Sequence, residues 1–161
     1  MRVLGIDPGT INAGYGVVEQ EGNRLRAVAY GAIRVSRRAT FPERLRRIHE
    51  GLRAVIDDFR PDEAAIETVF GGKNIQSALH AGEGRGVAIL AVALSALPLA
   101  EYSPAEIKKA VVGHGRAAKV QIQHMVRAIL ALTEVPASAD AADALAVAIC
   151  HCQHQQFLRR L

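Results

Sequence analysis

The sequence predicts a mixed α/β protein in which one sheet is covered by helices. Three observations lead there. Two strand-patterned runs near the start are joined by a turn signal, apolar positions recur at helical spacing between residues 42 and 59, and strand and helix patterns then alternate. "RVLGID" is a short apolar run ending in Asp7, and the turn signal "PGT" separates it from "AGYGVVEQ", a second strand. "EGN" at 21–23 marks a hairpin into "RLRAVAYGAIRV", so the chain is expected to open as an antiparallel meander. From Pro42 to Phe59, Leu45, Ile48, Leu52, Val55, Ile56 and Phe59 follow helical spacing. A strand in "RPDEAAIETVF" follows Pro61, then a long helix from about Asn74 to Leu94. Pro98 opens the strand "LAEYS", whose Ser103 is placed to cap a helix through Val112. "GHG" breaks that pattern, and helices are expected at about 116–132 and 138–155.

The 161 residues suit one domain with a substantial core, and no linker, low-complexity tract or repeat divides them. We therefore expect a single domain over 1–161, with a flexible tail after about 155. Half the residues are hydrophobic and mean hydropathy is +0.10, which excludes a disordered chain. No apolar run reaches the ~18 residues that span a bilayer, so no membrane association is expected. The start lacks the pattern of a secretory signal, and Cys150 and Cys152 are too close in sequence for a useful staple. Both points fit a reducing cytoplasm. A net charge of +4 and a pI near 9.4 permit a polyanionic partner. The cations gather in two groups: Arg34, Arg37, Arg38, Arg44, Arg46 and Arg47 early, and Lys108, Lys109, Arg116 and Lys119 late.

The acids are harder to place by composition alone. "SADAADALAVAICH", residues 138–151, sets Asp140 and Asp143 into an otherwise apolar helix. Three residues apart is roughly 60° around the axis, so both carboxylates leave from one edge. They repel, and nothing basic lies within one turn to offset them. Asp7 ends the first strand, and Glu67 lies within or at the end of "AAIETVF", among residues that prefer burial. An unpaired acid there would be expensive, so something cationic should meet it. Four acids at element ends that one sheet could gather suggest a site. Oxygen ligands without a Cys or His cage favour Mg²⁺ or Mn²⁺, and a pair of such ions could clamp both oxygens of a phosphodiester displacement.

"LGIDPGT", "AAIETVF" followed by "KNIQSALHAGEGRGVAI", "KKAVVGHGRAAKVQIQHMV" and "ADAADALAVAICHC", in this order, resemble the RuvC family of Holliday junction resolvases. The likeness runs to about His151. It implies an RNase H-like fold with a five-stranded mixed sheet, a homodimer, and an endonuclease that resolves four-way DNA junctions by paired symmetric nicks with metal-activated water. It implies Asp7, Glu67, Asp140 and Asp143 as catalytic metal ligands, with Mg²⁺ or Mn²⁺ as cofactor, two ions per site. Lys108 and Lys119 match the family's DNA-contacting cations, and Phe70 matches an aromatic inserted near the crossover, where stacking on a base is worth about 1–3 kcal/mol. A RuvA–RuvB branch-migration complex is the implied partner. Thr68 departs from the family wording, where a longer polar residue usually follows the glutamate.

Two other patterns are weaker. "CHCQH" at 150–154 lacks the second half of a zinc motif and lies in a helical run. Gly82, Gly84 and Gly86 each cost about 1 kcal/mol relative to Ala inside a helix, so a close approach is expected there, with the helix serving as a dimer interface.

Overall fold

Strand β1 (Arg2–Asp7) is the centre of a five-stranded sheet, with β2 (Asn12–Glu21) and β3 (Arg24–Arg34) on one side and β4 (Glu63–Glu67) and β5 (Leu99–Tyr102) on the other. The order is β3-β2-β1-β4-β5. β1, β2 and β3 pair antiparallel, and β4 and β5 add in parallel. This computed structural model describes residues 1–68 and 74–158. The expected meander is present, its hairpin turned by Gly22 at φ +58°.

Alternation in the strands builds two cores. Leu4 and Ile6 of β1, with Ala64 and Ile66 of β4, face α1 (Phe41–Phe59) and α2 (Ile75–Leu94), where Ile48, Leu52, Ala88 and Val92 close the layer. Val3 and Ala65 face the opposite way, toward α3 (Pro104–Val112), α4 (Lys119–Ile129) and α5 (Ala139–Leu158). α5 lies directly on the sheet beneath α3 and α4, which is why it is apolar nearly all round: residues 141, 142 and 144–152 are buried. α1 and α3 begin with capping boxes, Thr40 with Glu43 and Ser103 with Glu106.

α5 docks through backbone. Gly14 and Gly5, on adjacent strands, leave room for it: a Cβ on Gly14 would sit 2.0 Å from the carbonyl oxygen of Asp140, and one on Gly5 would sit 2.1 Å from that of Ala144. Both distances are impossible for real atoms, so any side chain there would lift the helix.

Three expectations need correction. The helix expected at 116–132 is shorter, because Ala118 is extended at φ −72°, ψ 152° and Ala131 turns left-handed at φ 51°. The last helix continues to Leu158. Of the α2 glycines, Gly84 makes the close approach, a Cβ there falling 3.0 Å from the carbonyl carbon of Gly9, whereas Gly82 and Gly86 face open space within the chain. Among the described residues no helix is long and apolar enough to cross a membrane.

Candidate active site

The parallel register pairs Ile6 with Ile66, so Asp7 and Glu67 follow at the adjoining ends of β1 and β4. Both alternate onto the α5 face, in step with Gly5 and Ala65. Asp7 also pairs across to Gly14, and the backbone of Asp140 rests on Gly14. The close contact between α5 and the sheet therefore brings the first turns of the helix, with Asp140 and Asp143, over the strand that ends in Asp7. Ser138 supports that end, its Oγ accepting from the Ala141 N–H at 3.4 Å.

The cation that sequence reasoning could not supply to the aspartate pair comes from another helix. Lys119 opens α4, and its Nζ donates to Asp143 Oδ2 at 2.7 Å. Lys108 of α3 and Lys119 both act on the charge of Glu67, the cationic neighbours expected for an acid in that strand. Glu67, Lys108, Lys119 and Asp143 line a cleft of about 220 Å³ whose apolar wall is Pro104, Ile107, Ile122 and Ala146.

Negative charge exceeds what these lysines neutralise. Burial, then the neighbouring carboxylates of Asp143, Asp140 and Glu67, push the Asp7 carboxyl up to about 7, and Lys119 only partly opposes them. Burial and Asp143 also raise Glu67. The hydrogen bond to Asp143 raises Lys119 in turn, so that ammonium stays charged.

This donor set suits a hard divalent cation: carboxylate oxygens in a partly buried place where a charge deficit is already felt. Among the described residues, no three His, Cys, Asp or Glu side chains are gathered tightly enough to enclose an ion as they stand. Asp143 is paired instead with Lys119.

The other singled-out residues divide. Phe70 lies outside the described residues. Thr68 turns its hydroxyl back to the Tyr102 carbonyl at 3.3 Å, bracing β4 against β5. The Cys-His-Cys run is buried in α5, and burial pushes both thiols up to about 12. Its His151 joins Tyr102 Oη (2.8 Å) to Glu63 Oε2 (2.6 Å), with Gln155 donating to the same oxygen at 3.2 Å. Sequence reasoning missed this buried chain, since its members are far apart in sequence.

Comparison with known proteins follows the same outline. The family model for crossover junction endodeoxyribonuclease RuvC matches residues 3–151. A protein of that description from Chloroflexus aggregans is 51% identical over 160 residues, covering 99% of this chain and 98% of its own length. One from Pelobacter propionicus is 53% identical, covering 99% and 90%. Among solved structures, T. thermophilus RuvC in complex with a Holliday junction substrate superposes with a TM-score of 0.91 at 35% identity, over 98% of this chain and 96% of that one. The yeast mitochondrial Holliday junction resolvase shares the fold, with a TM-score of 0.68 at 16% identity. An RNase H-like sheet with acids at its strand ends, matched along nearly its whole length, identifies this chain as a member of the RuvC family of crossover junction endodeoxyribonucleases.

Proposed function

We propose that this chain resolves four-way DNA junctions by paired symmetric nicks, and that Asp7, Glu67, Asp140 and Asp143 are its catalytic metal ligands. The observation that carries this reading is the convergence of these acids at one end of the sheet, in a chain of this family. Mg²⁺ or Mn²⁺, two ions per site, would supply Lewis-acid stabilisation of the phosphodiester and a water acidic enough to attack it. The carboxylates would hold that charge in place. Lys119, which pairs with Asp143 at rest, and Lys108 across the cleft can face a phosphate lying over it, each as a point charge. Phe70 is the proposed aromatic wedge at the crossover.

The same reading makes the chain a homodimer joined through α2. Ile75, Leu79, Leu90 and Leu94 are half or more exposed on that helix, and Gly82 and Gly86 fall in the same stripe with nothing within 4 Å of where their side chains would be. The buried face, with Gly84, Ala88, Ala91 and Val92, lies on the other side. A two-fold dimer suits a junction whose exchanging strands are related by two-fold symmetry, one site per strand. Family membership also supports action beside the RuvA–RuvB machinery in the cytoplasm.

Sedimentation at micromolar concentration is expected to give twice 17.3 kDa. A synthetic junction is expected to receive symmetric nicks only when Mg²⁺ or Mn²⁺ is present. A monomer that makes both nicks would dismiss the dimer, and an uncut junction would dismiss the activity.

A further inference from the structure

Arg34, Arg37 and Arg38 are exposed around the connection from β3 to α1, and among the described residues no carboxylate pairs with them. Arg46, on the helix that follows, is by contrast paired with Glu50. The connection itself has a defined shape. Val35 is buried, and its N–H donates at 2.8 Å to the carbonyl of Ile11, in the loop that follows Asp7. Ser36 accepts from Ala39 N–H through its carbonyl (3.1 Å) and from Arg38 N–H through its hydroxyl (3.2 Å). Thr40 then caps α1, and Phe41 sits between the Arg44 guanidinium, 5.1 Å from its ring centre, and His80 of α2, at 4.9 Å.

Direction gives these arginines their meaning. β1 and β3 both pair antiparallel to β2, so they run the same way and end on the same side of the sheet. Asp7 lies level with Ala32 through Gly14, so Arg34 ends β3 two residues or about 7 Å further on and two strand spacings or about 10 Å to the side, about 12 Å in all. Lys108 and Lys119 stand on the other side of Asp7, beside Glu67 of β4, on helices packed over α5. The carboxylate end is thus flanked by cations on both sides.

We propose that Arg34, Arg37 and Arg38 form a second phosphate-binding surface, which holds the DNA arm flanking the cut on the side opposite Lys108 and Lys119. This rests on the junction-cutting role proposed above. A strand carries one phosphate per 3.4 Å of duplex axis, so about 12 Å sets the contacts about three to four nucleotides from the scissile bond. Guanidinium forks on a rigid turn suit phosphate oxygens, and phosphate contacts fix register without reading sequence.

The test is the salt dependence of binding to a synthetic four-way junction. Arg37→Ala with Arg38→Ala is expected to flatten log affinity against log salt by about 1.8, which is 0.9 per lost contact. Its deficit should therefore widen about twelvefold between 200 and 50 mM salt. Arg37→Lys with Arg38→Lys is expected to keep most of the slope. Arg24→Ala, which removes a charge from the hairpin at the opposite end of the sheet, should leave it unchanged. A junction with one neutral methylphosphonate about three to four nucleotides from the cut should bind the unsubstituted protein more weakly, with no further loss in the double alanine variant. An unchanged slope in the double variant, or equal flattening by Arg24→Ala, would overturn the proposal. Divalent-dependent nicking by the unsubstituted protein is read separately, so a failed surface is distinguishable from a failed nuclease.

Discussion

Asp7→Asn should stabilise the metal-free protein, although it removes a group central to the proposed site. In the fold the Asp7 carboxyl is pushed from 3.8 to about 7, chiefly by burial and then by Asp143, Asp140 and Glu67. A raised carboxyl pKa means the folded state binds the proton more tightly than the unfolded chain. The stability tied to that proton is full below about pH 4 and is lost as pH rises through about 7. Three pKa units correspond to about 4 kcal/mol at most. Discounted for residual solvent contact and for titration shared among the four acids, about 1–3 kcal/mol remains. In a chain of this length that is a melting-temperature gain of about 3–10 °C for Asp7→Asn at pH 8 in a chelator. The gain should shrink toward zero near pH 4. Mn²⁺ should then raise the melting temperature of the unsubstituted protein at pH 8 and leave the variant unmoved, since only a folded site binds the ion. A variant less stable than the parent at pH 8 without metal, or a gain independent of pH, would refute the reasoning.

Three other substitutions test separate parts of the account. Gly14→Ala sets a methyl 2.0 Å from the Asp140 carbonyl oxygen, so it should cost about 3 kcal/mol or more and abolish the Mn²⁺ thermal shift; an unaltered melting profile would disprove the docking of α5. Tyr102→Phe leaves the buried His151 Nδ1 without its partner and should cost about 1–3 kcal/mol in denaturant titration, while the salt slope of junction binding stays as it was. Lys119→Ala should flatten that salt slope by about 0.9, and it should also destabilise the metal-free protein at pH 8, where Asp143 loses the ion pair with Lys119; a flattened slope without the destabilisation would contradict the resting contact.

Much of the fold is legible because the strands and helices state their own periods. The unbroken apolar run Val3–Ile6 reads as a strand covered on both faces, Ile48, Leu52, Val55 and Ile56 show the buried stripe of α1, and Ser103 with Glu106 spells out a cap. Asp140 and Asp143 are legible for the opposite reason, as charges that a buried helix would otherwise reject. What holds them is less visible. Gly5 and Gly14 read in sequence as weak points of strands, and only the packed helix reveals them as the floor on which α5 lies. The Lys119–Asp143 pair spans 24 residues and the His151–Glu63 pair 88, and no local pattern encodes such distances. The shortened α4 depends on a left-handed alanine, a conformation that composition does not announce.

The central claim is that the acids at this end of the sheet act through a divalent ion on junction DNA, while cations and shape do the binding. Asp7→Asn, Glu67→Gln, Asp140→Asn and Asp143→Asn, each assayed for single-turnover nicking and for junction affinity in the same Mg²⁺ buffer, separate the two roles directly. Each variant should lose about a thousandfold or more in nicking, as expected for several kcal/mol of metal-borne stabilisation, and should still bind the junction within about threefold of the parent. Near-parental nicking by Asp7→Asn in Mg²⁺ would contradict the account.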